Sequence, residues 1–275
     1  MNFALPANEA WHANLNYLLL KGEKHSPRGK GTLELLSHQS IVDMRYPVVT
    51  NSHRKMGYKF LLAEAVWILS GDNRVESIAP YAKHIADFSD DGYRFQGAYG
   101  PRVTEQLRYV IDTLIEDPPS RQAVISIWRE SPRKSKDIPC TLTLQFLIRN
   151  GKINCVANMR SSDLWLGWVY DVFNFTMITM EVGIRVNQYL ERTYPAMDLL
   201  ELGTLYLNAG SQHLYDHNID KARICLQDGQ SWSYNPLTLS DYNNPMSLMK
   251  HLVALRDNRS LINTGFLSEL DQNAT

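Results

Sequence analysis

The chain has 275 residues, long enough for a substantial core, and its 44% hydrophobic and 21% charged content excludes disordered and fibrous classes. With 28 basic and 29 acidic residues the net charge is -1, which gives no long-range attraction to duplex nucleic acid or an anionic membrane. Three cysteines (Cys140, Cys155, Cys225) without a CxxC pair form no disulfide framework, and with no signal-peptide pattern they predict a cytoplasmic protein.

In chain order, Leu15, Leu18 and Leu19 recur at helical spacing and predict a helix over 8–21. A glycine-containing turn at 26–31 leads into a strand predicted over 32–36. A helix at 58–69 stops at Ser70-Gly71-Asp72; its apolar run, 60–69, is too short to span a bilayer. Another helix is predicted over 103–116, ending before Asp117-Pro118-Pro119. Strand-like runs follow at 123–128, 141–148 and 153–159, the last two joined by the hairpin pair Asn150-Gly151. Residues 171–186 read as a long apolar helix and 205–208 as a short strand. Helices mixed with hairpin strands, without regular βαβ alternation, predict an α+β architecture. No linker divides the chain, so one domain over 1–275 is expected.

Candidate chemistry sits at a few positions. Glu64 lies in a helix apolar on every side, so it has no polar face to occupy. It is either a structural acid paired with a distant arginine or a general acid/base tuned toward neutrality. Cys140, after Pro139 at the mouth of a strand, is a core filler or a nucleophile, and Arg160 one hairpin strand away would lower its pKa. Arg28, Arg121 and Arg160 are surface charges or anion ligands, and 129–136 reads as a solvated loop. Asp171 is an ordinary helix N-cap or a site residue; His213 and Tyr215 are core polar groups or ligands. No metal-ligand spacing or dinucleotide glycine fingerprint is present.

Pro139-Cys140-Thr141…Gln145-Phe146 followed by Met159-Arg160-Ser161-Ser162-Asp163…Gly167…Asp171 resembles the catalytic half of the thymidylate synthase family. Arg28-Gly29…Gly31-Thr32, Glu64…Trp67…Gly71-Asp72, Tyr99-Gly100, Ser120-Arg121 and His213-Leu214-Tyr215 resemble, in order, the rest of its framework. The resemblance implies a central mixed β-sheet flanked by helices, a homodimer with shared sites, and 5,10-methylenetetrahydrofolate as one-carbon donor. It implies Cys140 as nucleophile, Glu64 and Tyr99 in proton transfer, and Asp171 reading the base. Arg28, Arg160, Ser161 and a partner's Arg121 would hold the phosphate. Asp163 and Gln145 would join the nucleotide site, and His213 and Tyr215 would hold the sugar.

Two departures carry the substrate expectation. Thr141 stands where the family usually has His, and Asp171 where it has Asn; the pair resembles the deoxycytidylate hydroxymethylases of T-even phages. Gln122 replaces a second arginine, Ile85 stands near the tryptophan expected under the folate, and the tail 271–275 lacks the usual ending. The expected reaction is hydroxymethylation of deoxycytidylate. Methylation to 5-methyl-deoxycytidylate or thymidylate, a ribonucleotide hydroxymethylase, and an inactive nucleotide- or RNA-binding relative are the alternatives.

Overall fold

Asn150 (φ 52°) and Gly151 (φ 71°) take left-handed conformations and turn the chain from β4 (Thr141–Arg149) straight back into β5 (Lys152–Met159). This hairpin supplies two inner strands of the sheet in a computed structural model that describes residues 3–131 and 133–257. The remaining elements, in order, are α1 (Ala7–Lys21), β1 (Glu23–His25), β2 (Thr32–Asp43), α2 (Tyr58–Leu69), α3 (Val75–Ile78), α4 (Tyr99–Glu116) and β3 (Val124–Ser126). After the hairpin come β6 (Ser162–Asp163), α5 (Trp168–Thr193), β7 (Glu201–Tyr215), α6 (Asp216–Asp228) and α7 (Pro245–Asp257). The tail at 271–275 lies outside the described residues.

The sheet runs β1-β2-β7-β5-β4-β3, with β6 paired to β7. β5 and β6 pair with β7 in parallel and the other neighbours are antiparallel, so the sheet is mixed. Helices and sheet together give the α+β architecture. Alternation along the strands sends Leu144, Phe146, Cys155, Ala157, Leu205 and Leu207 into the core. Val124, Gln145, Asn154, Val156, Asn158, Tyr206 and Asn208 face the other way, and none of them is buried.

Helices α4 and α5 begin earlier than the sequence predicts, and two strands are much longer. β7 runs for 15 residues, not four, because Gly203 and Gly210 do not interrupt it. A Cβ at Gly203 would stand 2.4 Å from Asn154 Oδ1, so this glycine permits close strand approach. β2 continues past Leu36 to Asp43. Ser37, which takes φ 52°, and Gly210 opposite it drop out of the pairing, and the same register resumes at His38–Ala209.

α5 explains the apolar character of α2. From Trp168 to Asn187 almost every α5 side chain is buried, and α2 packs among α4, α5 and α7. A helix enclosed on all sides needs no polar face, which is why Glu64 has none. Among the described residues, no helix is long and apolar enough to cross a membrane.

Candidate active site

Helix α2 brings Glu64, the start of α4 brings Tyr99, and α5 brings Asp171 and Asn174 to one cavity of about 170 Å³. Its other walls include Trp67, Ile68, Ile85, Phe88, Phe95 and Asp137. Cys140 stands just before β4, and its thiol is within electrostatic reach of Asp171, Asp137 and Asp163. Four residues far apart in sequence, Glu64, Tyr99, Cys140 and Asp171, thus meet where the helices abut the sheet.

Among the described residues Glu64 has no arginine partner. The Asn174 side-chain amide donates to its Oε2 at 2.7 Å. Burial pushes the Glu64 carboxyl up to about 7, against the opposing effect of that hydrogen bond. Such a group is divided between acid and carboxylate at neutral pH and can take or give a proton.

Asp171 is not an N-cap. Helix α5 starts at Trp168 with Gly167 as its cap, so Asp171 is the fourth helical residue, at the end of the first turn, and its backbone N–H bonds Gly167 O at 2.9 Å. Its carboxyl is raised well above the usual range by burial, then by the charges of Glu64 and Asp163. Burial therefore favours its protonated form over the carboxylate. Tyr99 is likewise raised, by burial and then by Asp171 and Cys140, and remains a neutral phenol.

Arg160 reaches Cys140 as expected, its Nη2 3.7 Å from Sγ. The same guanidinium is anchored on Pro139 O and Ile138 O, both at 2.9 Å. The thiol's pKa nevertheless goes up, contrary to the sequence expectation. Burial is the largest cause, Arg160 opposes it, and the neighbouring carboxyls add to it. Cys155 and Cys225 are buried in the core, with thiols raised to about 12 and about 11.

The other candidates distribute around this centre. His213 pairs in register with Asp163, and each keeps one buried side-chain atom (Nδ1 and Oδ2) without a hydrogen-bond partner among the described residues. The His213 and Tyr215 rings meet edge to face at 5.4 Å. Thr32, just after the Arg28 turn, pairs with Tyr215, so exposed Arg28 hangs at the same end of β7. Ser161 follows Arg160 and is half-buried. Arg121 is exposed and outside the cavity; Gln145, on the uncovered sheet face, donates to its carbonyl at 2.8 Å. The structure thus joins Gln145 to Arg121 rather than to Glu64.

Sequence reasoning missed Asn174 and Asp137. Asn174 is an amide three residues beyond Asp171, on the same face of an apolar helix, and that spacing was a readable signal. The 129–136 loop is also more than a solvated stretch. Arg129, Ser131, Arg133 and Ser135 line a second cavity, about 640 Å³, with Arg94, Arg102, Ile138 and Pro139.

The family model described as Thymidylate synthase matches residues 9–253. A curated relative, the deoxyuridylate hydroxymethyltransferase of Bacillus phage SP01, is 30% identical over 206 residues. That match covers 65% of this chain and 53% of the relative, so the chain spans about half the relative's length.

Proposed function

This chain belongs to the thymidylate synthase family, and we propose that it hydroxymethylates carbon 5 of deoxycytidylate, with 5,10-methylenetetrahydrofolate as the one-carbon donor. The observation that carries the reading is the position of Asp171 in one cavity with Glu64 and Tyr99, where burial raises its carboxyl and favours the acid form. Cytosine presents an amino donor and a bare ring nitrogen. A carboxylic acid accepts from the first and gives its proton to the second. That proton offsets the negative charge that develops when a thiolate adds to the ring.

In the proposed mechanism the Cys140 thiolate bonds to carbon 6, and the displaced electron pair makes carbon 5 nucleophilic. Arg160 steadies the thiolate before attack. Asp171 transfers its proton to the ring nitrogen, and Glu64, near 7, exchanges protons at carbon 5. The side chains of Ile68, Ile85, Phe88 and Phe95 form an apolar wall that fits a flat heteroaromatic donor. When bound, methylenetetrahydrofolate supplies the carbon. The carbon 5 proton would pass through Glu64 to the folate nitrogen as the methylene–nitrogen bond breaks and tetrahydrofolate leaves. The ring-nitrogen proton would return to Asp171, and water would then add to the exocyclic methylene left on the nucleotide.

Arg28, Arg160, Ser161 and Arg121 of the partner subunit would hold the phosphate, with His213, Tyr215 and Asp163 at the sugar. The homodimer reading is supported by the uncovered sheet face, where Gln145 holds the Arg121 segment beside the exposed strands. We place the whole chain in one catalytic domain. A second reading, hydroxymethylation of deoxyuridylate, is favoured by the name of the phage relative. Incubation with each pyrimidine monophosphate and methylenetetrahydrofolate, followed by mass analysis, tests the proposal. The expected product is deoxycytidylate heavier by CH2O, with tetrahydrofolate released. A product heavier by CH2, with dihydrofolate, would overturn it.

A further inference from the structure

Two of the cavity's buried polar atoms have no hydrogen-bond partner among the described residues: the donor Nε1 of Trp67 and the acceptor Oδ1 of Asn174. Both residues line the cavity with Glu64, and they are only 8% and 3% exposed. Buried polar groups are almost always satisfied, so an orphan donor and an orphan acceptor in one cavity call for a shared partner. The orientation of Asn174 is set by Glu64, which takes its amide nitrogen at 2.7 Å and leaves the oxygen free. The cavity of about 170 Å³ has ample room, since a water in the liquid occupies about 30 Å³ and needs two to four polar partners. Ile68, Ile85, Phe88 and Phe95 supply none.

We propose that Trp67 and Asn174 are positioning residues that hold the water adding to the exocyclic methylene, with Glu64 as its base. The inference rests on the hydroxymethyl reading above. The four tetrahedral directions of the water are then accounted for. One lone pair accepts from Trp67 Nε1, one hydrogen goes to Asn174 Oδ1, and the other faces the Glu64 carboxylate. The second lone pair bonds to the methylene carbon. As that C–O bond forms, the methylene double-bond pair moves onto carbon 5, and the water proton passes to Glu64. The pair returns as the carbon 5–carbon 6 double bond, the carbon 6–sulfur bond breaks, and Cys140 leaves as thiolate. The ring product is neutral, and the charge carried by Glu64 at the start ends on Cys140.

The test is product partition in Trp67→Phe and Asn174→Leu, compared with the wild-type enzyme. Both changes keep side-chain bulk in the core, and Trp67→Phe leaves the Glu64–Asn174 contact intact. Each reaction contains deoxycytidylate, methylenetetrahydrofolate and excess 2-mercaptoethanol, whose thiol captures an exocyclic methylene that water has not reached. Runs at pH 8.5 keep Glu64 ionised. The expected result is a drop of about tenfold in the ratio of hydroxymethyl to thiol-trapped product, the loss of one hydrogen bond to the water. A variant that is merely less stable makes less of both products, leaving the ratio at the wild-type value, and that result overturns the inference. If the wild-type enzyme makes no hydroxymethyl product, the functional reading falls first, and this inference with it.

Discussion

The hydroxyl of Thr141 donates to the Tyr99 hydroxyl oxygen at 2.9 Å, and the Thr141 backbone N–H reaches the same atom at 3.2 Å. The residue directly after Cys140 therefore fixes the tyrosine. Thr141 is fully buried, so its oxygen has no alternative partner in solvent. With its oxygen accepting twice, Tyr99 keeps its own proton for a further acceptor.

Thr141→Val keeps the shape of the side chain and removes the donor. The expected cost is about 1–2 kcal/mol of stability, because Tyr99 loses one of two buried hydrogen bonds. Turnover should fall about tenfold while KM changes little, since Thr141 fixes a proton-transfer group rather than holding substrate. Urea midpoints and steady-state kinetics check both. Equal loss in kcat and gain in KM would place Thr141 in binding instead.

Cys140 should react slowly with iodoacetamide in the free enzyme at pH 7. Its thiol is raised above the ordinary cysteine value, chiefly by burial, so little thiolate is present. The rate should climb with pH as the thiol ionises. Arg160→Met removes the one cation that lowers this pKa and should slow alkylation further at any fixed pH below it. Faster alkylation in that variant would contradict the electrostatic assignment. Cys140→Ala should bind nucleotide but not turn over, while Cys155→Ala should stay active.

Glu64→Gln should stabilise the protein increasingly as pH rises. The folded carboxyl titrates at about 7 against an ordinary value of 4.5. Between those values the unfolded chain has released a proton that the folded chain still holds, so wild-type stability falls as pH rises through the window. The penalty is absent at pH 4 and levels off above pH 7 at roughly 3–4 kcal/mol. Glutamine does not titrate and escapes it. Urea midpoints of both proteins at pH 4 and pH 8 decide the point. A difference that does not widen with pH would mean that Glu64 is solvated and unshifted.

Regular periodicity made the local elements legible. The α2 and β4–β5 boundaries follow from an all-apolar run and an Asn-Gly turn, both strictly local signals. The β7 strand was read as four residues because its glycines look like breakers until β5 lies beside them. The opening turn of α5 was missed because Trp168, Val169 and Tyr170 carry no capping side chain. At the site, Glu64 stands out by itself as an acid in an apolar helix, whereas Cys140 and Asp171 stand out through the family resemblance and not by residue type alone. The pKa of Cys140 was not, because one visible arginine suggested activation while the opposing burial and three carboxyls are assembled only by the fold. Asn174 and the Thr141–Tyr99 bond are contacts across 110 and 42 residues, which no local pattern encodes.

Arg121 should act in trans. It is exposed, held by Gln145 at the uncovered sheet face, and absent from the cavity of Glu64 and Asp171. Arg121→Ala and Cys140→Ala should each be inactive alone. Mixed after subunit exchange, they should regain about a quarter of wild-type activity, since in a random mixture half the dimers are hybrids and each hybrid has one intact site of two. Absence of recovery despite demonstrated exchange would place Arg121 in its own subunit's site or outside any site.

Asp171→Asn should move preference from deoxycytidylate toward deoxyuridylate. In the wild type, burial and then the neighbouring Glu64 and Asp163 raise the carboxyl and favour its acid form. An acid can release that proton to the cytosine ring nitrogen as the thiolate adds. An amide can still hydrogen-bond cytosine, its nitrogen to the ring nitrogen and its oxygen to the amino group, so ground-state binding survives. It cannot supply the proton, so the loss appears in kcat. Uracil already carries a hydrogen on the same ring nitrogen, and the asparagine oxygen and nitrogen match that hydrogen and the adjacent carbonyl. A charge-assisted contact is worth about 1.5–3 kcal/mol, or roughly ten- to a hundredfold in rate. The measurement is the ratio of kcat/KM for deoxycytidylate over deoxyuridylate in the two proteins. Because Gly167, not Asp171, caps α5 and no side-chain cap bond is made, a fall in stability from a lost cap is not expected. If both substrates lose activity equally, so that the ratio stays at the wild-type value, Asp171 does not read the base.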